Sequence, residues 1–232
     1  MNGFPTPHSQ PPALNALRAE IYRILSECYK EPSVEFAADV ARGYLNQELS
    51  KHLTRLGIVL SLEGLKIESD AEEVFRILKE QYYPLFMGPF PPFVLPVESV
   101  HKAWARGGTT PLLSPDVRGM LMGDPAVDIL RRYEASGIEI PKEFKDMPDH
   151  LALLLEYMAF LCENGTPAEQ ERFAREHLDW VPELHRSVHA CSESRFYRAV
   201  ADTTDAVVAC EERALGDGEK SHELLDQNRF PP

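Results

Sequence analysis

Apolar residues recur along most of this chain at spacings of three and four, the pattern of amphipathic helices. Leu14, Leu17, Ile21, Ile24, Leu25 and Cys28 share one helix face, which ends before Pro32. Val34, Ala37, Val40, Ala41 and Tyr44 repeat the pattern behind Ser33, a residue type that caps helix N-termini. Leu49, Leu53, Leu56 and Leu60 make a third stripe. Ser69-Asp70-Ala71-Glu72 reads as a capping box opening a helix with Val74, Phe75, Leu78 and Tyr82, which Pro84 should kink or end. A short helix is expected at 98–105, closed by Gly107-Gly108. Ser114-Pro115 and Asp124-Pro125 each have N-cap then N1 character. Val127, Leu130 and Tyr133 follow, up to Gly137 as the left-handed residue after a helix.

The second half continues in the same way. After a polar loop at 138–148, Leu151, Leu154, Leu155, Met158 and Leu161 mark the most apolar helix of the chain. Thr166-Pro167-Ala168-Glu169 is a second capping box, opening a helix with Phe173 and Leu178. Leu184 and Val188 mark the next helix, and Phe196, Val200, Val207 and Cys210 a last one. No stretch alternates strictly with β-branched enrichment, and no repeat of fixed period is present. The prediction is an all-α, single-domain bundle of roughly nine to eleven helices over residues 13–215. A flexible arm is expected at 1–12 and a polar, flexible tail at 216–232.

Composition changes this picture little, and charge narrows it. An apolar fraction of 44% with 26% charged residues is that of a globular protein. A net charge of −13 argues against nucleic acid and against an anionic membrane surface, since both are bound through Lys and Arg. It suits a basic partner peptide, although taken alone it needs no more explanation than solubility. No run approaches the roughly 18 apolar residues that span a bilayer. The N-terminus lacks the apolar core of a signal peptide. Cys28, Cys162, Cys191 and Cys210 form no C-x-x-C pair and sit within or beside helical patterns, so a reduced compartment, not a disulfide scaffold, is expected.

Catalytic chemistry is hard to find. There is no P-loop, no dinucleotide fingerprint and no nucleophile elbow. His185 and His189 are spaced i, i+4, as two metal ligands on one helix face would be. A third ligand is not indicated, so they are taken as exposed residues on a solvated face and no metal or cofactor is assigned. Asp149-His150 enters the apolar helix at 151. Asp149 suits an N-cap. His150 reads either as a partly buried, hydrogen-bonded histidine or as a recognition or switching residue. Tyr82–Pro89 and the following prolines cluster the aromatics Tyr82, Tyr83, Phe86, Phe90 and Phe93, and residues 87–97, with four prolines, cannot be regular helix. They form either a core-facing loop or an apolar groove wall for a peptide.

These two segments resemble the TorD/DmsD/NarJ-type family of redox-enzyme maturation chaperones. Tyr82-x-x-Leu85-Phe86-x-Gly88-Pro89 is similar to the family's aromatic-x-x-Leu-Phe-x-Gly-Pro signature. Pro96-x-Glu98-Ser99-Val100-His101 is similar to its E-S-V-Y stretch, with His101 for the aromatic. Asp149-His150 and the helix to Met158 resemble its D-H-L-x-x-x-L-x-F-M element. The preceding Asp146-Met147-Pro148 departs from E-P-x by displacing the proline one place. Phe173, His177-Leu178 and Trp180 resemble a later F-x-x-x-H-L-x-x-W element, with Trp180 one place early. Order and spacing agree across about residues 14–213.

The resemblance implies an all-helical cytoplasmic chaperone, not an enzyme. It would bind the apo form of a molybdenum-cofactor oxidoreductase subunit, often through its twin-arginine leader peptide, and assist cofactor insertion and assembly before export. It implies a binding site at Tyr82, Leu85, Phe86, Gly88, Pro89, Glu98, Ser99, Asp149 and His150. Two rivals remain: a helical scaffold without leader recognition, and, ranked lower, a small helical enzyme using Asp149 and His150. The linker 137–148 is long enough to act as a hinge, and a helix-swapped homodimer is carried as a hypothesis.

Overall fold

The most apolar stretch of the sequence becomes the centre of the molecule. A helix that is apolar on every side has no face to give to solvent. Accordingly Leu151, Ala152, Leu154, Leu155 and Met158 are fully enclosed. The computed structural model describes residues 12–88, 90–103 and 118–227, with side chains within 13–211. The helices are α1 (Pro12–Cys28), α2 (Val34–Ala41), α3 (Tyr44–Arg55), α4 (Ala71–Phe86), α5 (Glu98–His101), α6 (Asp124–Ala135), α7 (Leu151–Asn164), α8 (Pro167–His177), α9 (Val181–Cys191) and α10 (Arg195–Gln227). Short 3-10 turns occupy Glu63–Leu65 and Lys142–Phe144. Among the described residues there is no strand, only one antiparallel bridge between Val97 and His150, and the class is all-α as expected.

α1 lies along α7, α2 packs on α4, and α9 on α10, while α8 touches both α7 and α10. One core runs through all of these, from Ile21 and Leu25 of α1 to Val200 and Val207 of α10. The turn before α4 presses on α10 so closely that a Cβ on Gly64 would stand 2.7 Å from the Arg195 carbonyl oxygen and 2.7 Å from Ala199 Cβ.

Several boundaries differ from the sequence reading for local reasons. Asp70, not Ser69, caps α4, accepting from Glu73 N–H at 2.9 Å. Tyr44 does not belong to the α2 face. Gly43 takes φ +76° and breaks the helix, so Tyr44 opens α3 and is exposed. Pro84 does not end α4, which runs on to Phe86 with the exposed proline ring inside its last turn. α6 starts one residue earlier than expected: Gly123 is the cap and Asp124 is already helical. α5 stops at His101, and the expected glycine pair at 107–108 and cap at Ser114 lie outside the described residues. Thr166 and Glu169 form both halves of their capping box, and Gly137 takes φ +68° directly after α6.

Candidate functional site

Two segments distant in sequence are stitched together where α7 begins. Glu98 N–H donates to the Asp149 carbonyl at 3.0 Å, and Leu151 N–H donates to the Pro96 carbonyl at 2.8 Å. The extended residues before α5 thereby run antiparallel to the residues before α7. This register places Asp149 beside Ser99 and leaves His150 facing the other way.

Asp149 is fully buried. Its Oδ2 accepts from Ser99 N–H at 2.7 Å and from the Ser99 hydroxyl, and that hydroxyl oxygen accepts from Gly123 N–H at 3.2 Å. Asp149 is therefore not the cap of α7 but the link between α5, α6 and α7. Its Oδ1 has no hydrogen-bond partner, and burial raises its pKa above the ordinary value, against the pull of the Ser99 bonds. Glu98, also fully buried, is saturated internally. Oε2 pairs with His177 Nδ1 at 2.8 Å and Oε1 with Lys102 Nζ at 2.8 Å. His177 Nε2 reaches Asp128 Oδ2 at 2.9 Å, and Arg132 bridges Asp128 and Glu176 at 2.7 and 2.5 Å.

Asp149→Asn should be tolerated, because an amide oxygen accepts the same two Ser99 bonds and no charge is desolvated. Asp149→Ala should cost about 2–3 kcal/mol, the penalty for orphaning buried donors. Urea unfolding of the two variants at neutral pH checks this. Equal destabilisation would show that the carboxylate charge of Asp149, and not its acceptor alone, holds Ser99.

His150 caps α7, a role the sequence reading did not give it. Its Nδ1 accepts from Ala152 N–H at 3.2 Å, so the neutral ring carries its proton on Nε2. Phe144 packs on the ring at 4.9 Å between centroids. Burial, with Lys30 adding a smaller repulsion, lowers its pKa to about 3.

On its other side, His150 borders a groove of about 740 Å³. The walls are Tyr82 and Phe86 of α4, Phe36 of α2, the loop residues Met87, Gly88, Phe93, Leu95 and Pro96, and Phe144 and Met147 from the stretch before α7. Glu27, Lys30, Glu31 and Glu143 also line it, three carboxylates to one amine. Lys30 is already paired with Glu27 at 2.7 Å and Glu156 at 2.5 Å. Gly88 is needed for the loop to fold back, since a Cβ there would stand 2.9 Å from the Pro84 carbonyl oxygen. The carbonyl of the neighbouring Leu85 accepts from Val94 N–H at 2.7 Å. Exposed Met87 and Phe90 lie on the same loop, with Met87 on the groove itself.

The structure thus sorts the residues singled out in sequence. Tyr82, Phe86, Gly88 and His150 line the groove. Glu98, Ser99 and Asp149 form an internal cluster, with no exposed surface to offer a partner. Leu85 is a core residue, and Pro89 lies outside the described residues. Sequence reasoning missed Glu27, Lys30, Glu31, Phe36 and Glu143, which carry no motif. Phe144 and Met147 did leave a signal, as apolar residues in an otherwise polar loop.

Residues 39–186 match the family model described as nitrate reductase delta subunit. The chain belongs to that family. Curated relatives carry the name chaperone protein TorD. The one from Shewanella pealeana is 24% identical over 203 residues, covering 82% of this chain and 86% of its own. Another, from Shewanella sp. strain MR-4, is 23% identical over 213 residues, covering 87% and 95%. A third, from Vibrio cholerae, is 27% identical over 190 residues, covering 73% and 78%. The name that these relatives carry is that of a chaperone. The family match begins inside α2, so Glu27, Lys30, Glu31 and Phe36 lie before it. No described helix is long and apolar enough to cross a membrane.

Proposed function

We propose that this protein is a cytoplasmic maturation chaperone for a molybdenum-cofactor oxidoreductase subunit, which it holds before export through that subunit's leader peptide while the cofactor is inserted. The observation that carries this reading is the groove itself: aromatic and aliphatic walls with three carboxylates at its edge, in a chain whose relatives are chaperones. A twin-arginine leader has the complementary make-up. Its apolar stretch suits the walls, and its guanidinium groups suit Glu143 and, by exchange for their present lysine partners Lys30 and Lys79, Glu27 and Glu31 through charge-assisted bonds. The volume lies within the range of small-ligand pockets, so it takes a few anchoring side chains rather than a whole peptide.

In this reading Tyr82, Phe86, Gly88 and His150 make contact, and Glu98, Ser99 and Asp149 hold the groove wall in position. Residues before the family match supply one wall, where recognition of a particular client can be set.

The test begins with capture of the client from native extract by the full chain, followed by calorimetry with the client's leader peptide. Binding should be micromolar or tighter. It should weaken at least tenfold in Glu31→Lys/Glu143→Lys and when the peptide's arginine pair becomes glutamine. Affinity for the leaderless subunit, untouched by either change, would replace the leader reading with that of a helical scaffold. Capture of no redox subunit would remove the chaperone assignment for this client class.

A further inference from the structure

The helix pair α9–α10, outside the groove, carries a cluster that chaperoning of a leader does not use. His185 and His189 stand one turn apart on α9, and both Nε2 atoms converge on a single oxygen of Asp202 on α10, at 2.8 and 2.7 Å. The two rings lie 4.7 Å apart at 63°. All three ligand atoms fall within 4.8 Å of one another. We infer that His185, His189 and Asp202 form a binding site for a divalent late transition metal such as Zn2+, with its remaining coordination position open to solvent.

The chemistry fits on three counts. Two imidazole nitrogens and one carboxylate oxygen are the donor set that zinc takes in open, three-ligand protein sites. Zinc–ligand bonds of about 2.0–2.2 Å place neighbouring donors roughly 3.3 Å apart, so the two Nε2–Oδ1 spacings of 2.7 and 2.8 Å need to open by only about half an ångström, while the two ring nitrogens already lie within 4.8 Å of each other. All three side chains are partly exposed, which gives an ion a way in and leaves room for water as fourth ligand.

A second grouping of the same kind, Asp128, Glu176 and His177, lacks this potential. Arg132 already lies between its carboxylates, and Glu98 holds the other nitrogen of His177. Among the described residues, no lysine or arginine pairs with the Asp202 carboxylate. The nearby Arg198 is directed to the His189 carbonyl at 3.1 Å and to Glu193 at 3.1 Å. A bound ion would tie α9 to α10 through side chains where they are now joined by packing and hydrogen bonds.

The experiment is calorimetric titration of the full, tag-free, metal-stripped chain with ZnCl2, with Co2+ absorption as a second readout. One equivalent should bind with micromolar or tighter affinity, and Co2+ should give the visible bands of a four-coordinate nitrogen–oxygen site. His185→Gln, His189→Gln and Asp202→Asn should each weaken binding at least tenfold. Because these side chains are partly exposed, the variants should keep the circular dichroism of the parent. Saturating Zn2+ should raise the thermal midpoint of the parent chain by on the order of 5 °C, and that of the variants by far less. Cys191→Ser should leave binding unchanged. The assignment is overturned by absence of stoichiometric binding, by its persistence in His185→Gln/His189→Gln, or by its loss in Cys191→Ser.

Discussion

Between pH 7 and pH 5, a His150→Asn variant should lose about 2 kcal/mol less stability than the unaltered chain. His150 is 5% exposed, and its pKa lies near 3 in the folded protein against about 6.5 in an unfolded one. A base whose folded pKa is depressed stabilises the fold above its unfolded pKa. That stability is lost as pH falls from about 6.5 toward 3, because the unfolded chain takes up the proton first. One pH unit is worth about 1.4 kcal/mol, and pH 5 lies about 1.5 units below 6.5, which gives the stated difference. Asparagine is chosen because its side chain also accepts at a helix N-terminus, so it keeps the cap on Ala152 N–H while removing the titration. The raised pKa of Asp149 works in the opposite direction: burial disfavours its charged form, so acidification relieves that cost. Taking the difference between the two chains cancels this contribution. Urea midpoints at the two pH values measure it, and parallel pH profiles would show that His150 titrates normally in the fold.

The largest single loss of stability is expected at Arg18. Its guanidinium meets Glu211 in two bonds, Nε to Oε1 at 2.8 Å and Nη2 to Oε2 at 2.5 Å, while Nη1 reaches Gln170 at 2.7 Å. Gln170 in turn donates to the Leu161 carbonyl at 2.9 Å. The chain of contacts joins α1, α10, α8 and α7 in one buried knot, with the two charged side chains only 6% and 11% exposed. Removing one member leaves the other charge uncompensated away from water. Arg18→Ala should therefore cost about 3–5 kcal/mol, a large share of the 5–15 kcal/mol that folds a typical domain. Arg18→Met/Glu211→Leu should recover much of this, because an apolar pair of similar volume carries no desolvation penalty. Denaturant unfolding of both singles and the double gives the coupling. Additive losses would mean that the pair contributes packing and not charge.

Helices were readable in the sequence because their apolar spacing is a local property. Each of α1, α4, α7 and α10 announced itself through residues three and four apart, and α8 through the box at Thr166, two residues that touch within one turn. Local rules failed where neighbouring choices were nearly equal in energy. Ser69 and Asp70 are both good caps, and Asp70 is used. Pro84 lies inside the last turn of α4 with its ring exposed, although it has no N–H to give the carbonyl four residues earlier, so the packing of Leu85 and Phe86 into the core outweighs the local rule.

The sequence by itself determined an all-α chain of helical stripes around one strongly apolar helix, an acidic surface, and a set of ordered motifs that identify the family. Those are properties of spacing and composition. Only the tertiary structure decided which way each singled-out residue faces. The antiparallel register between Pro96–Glu98 and Asp149–Leu151 turns Asp149 inward to Ser99 and sets His150 on the groove. The same holds for Glu27, Glu31 and Phe36, which approach Phe144 and Met147 across more than a hundred residues of sequence, and for Asp202, which supplies the third ligand atom beside His185 and His189. Such meetings depend on how helices pack against one another, a property of the whole core that no local pattern encodes.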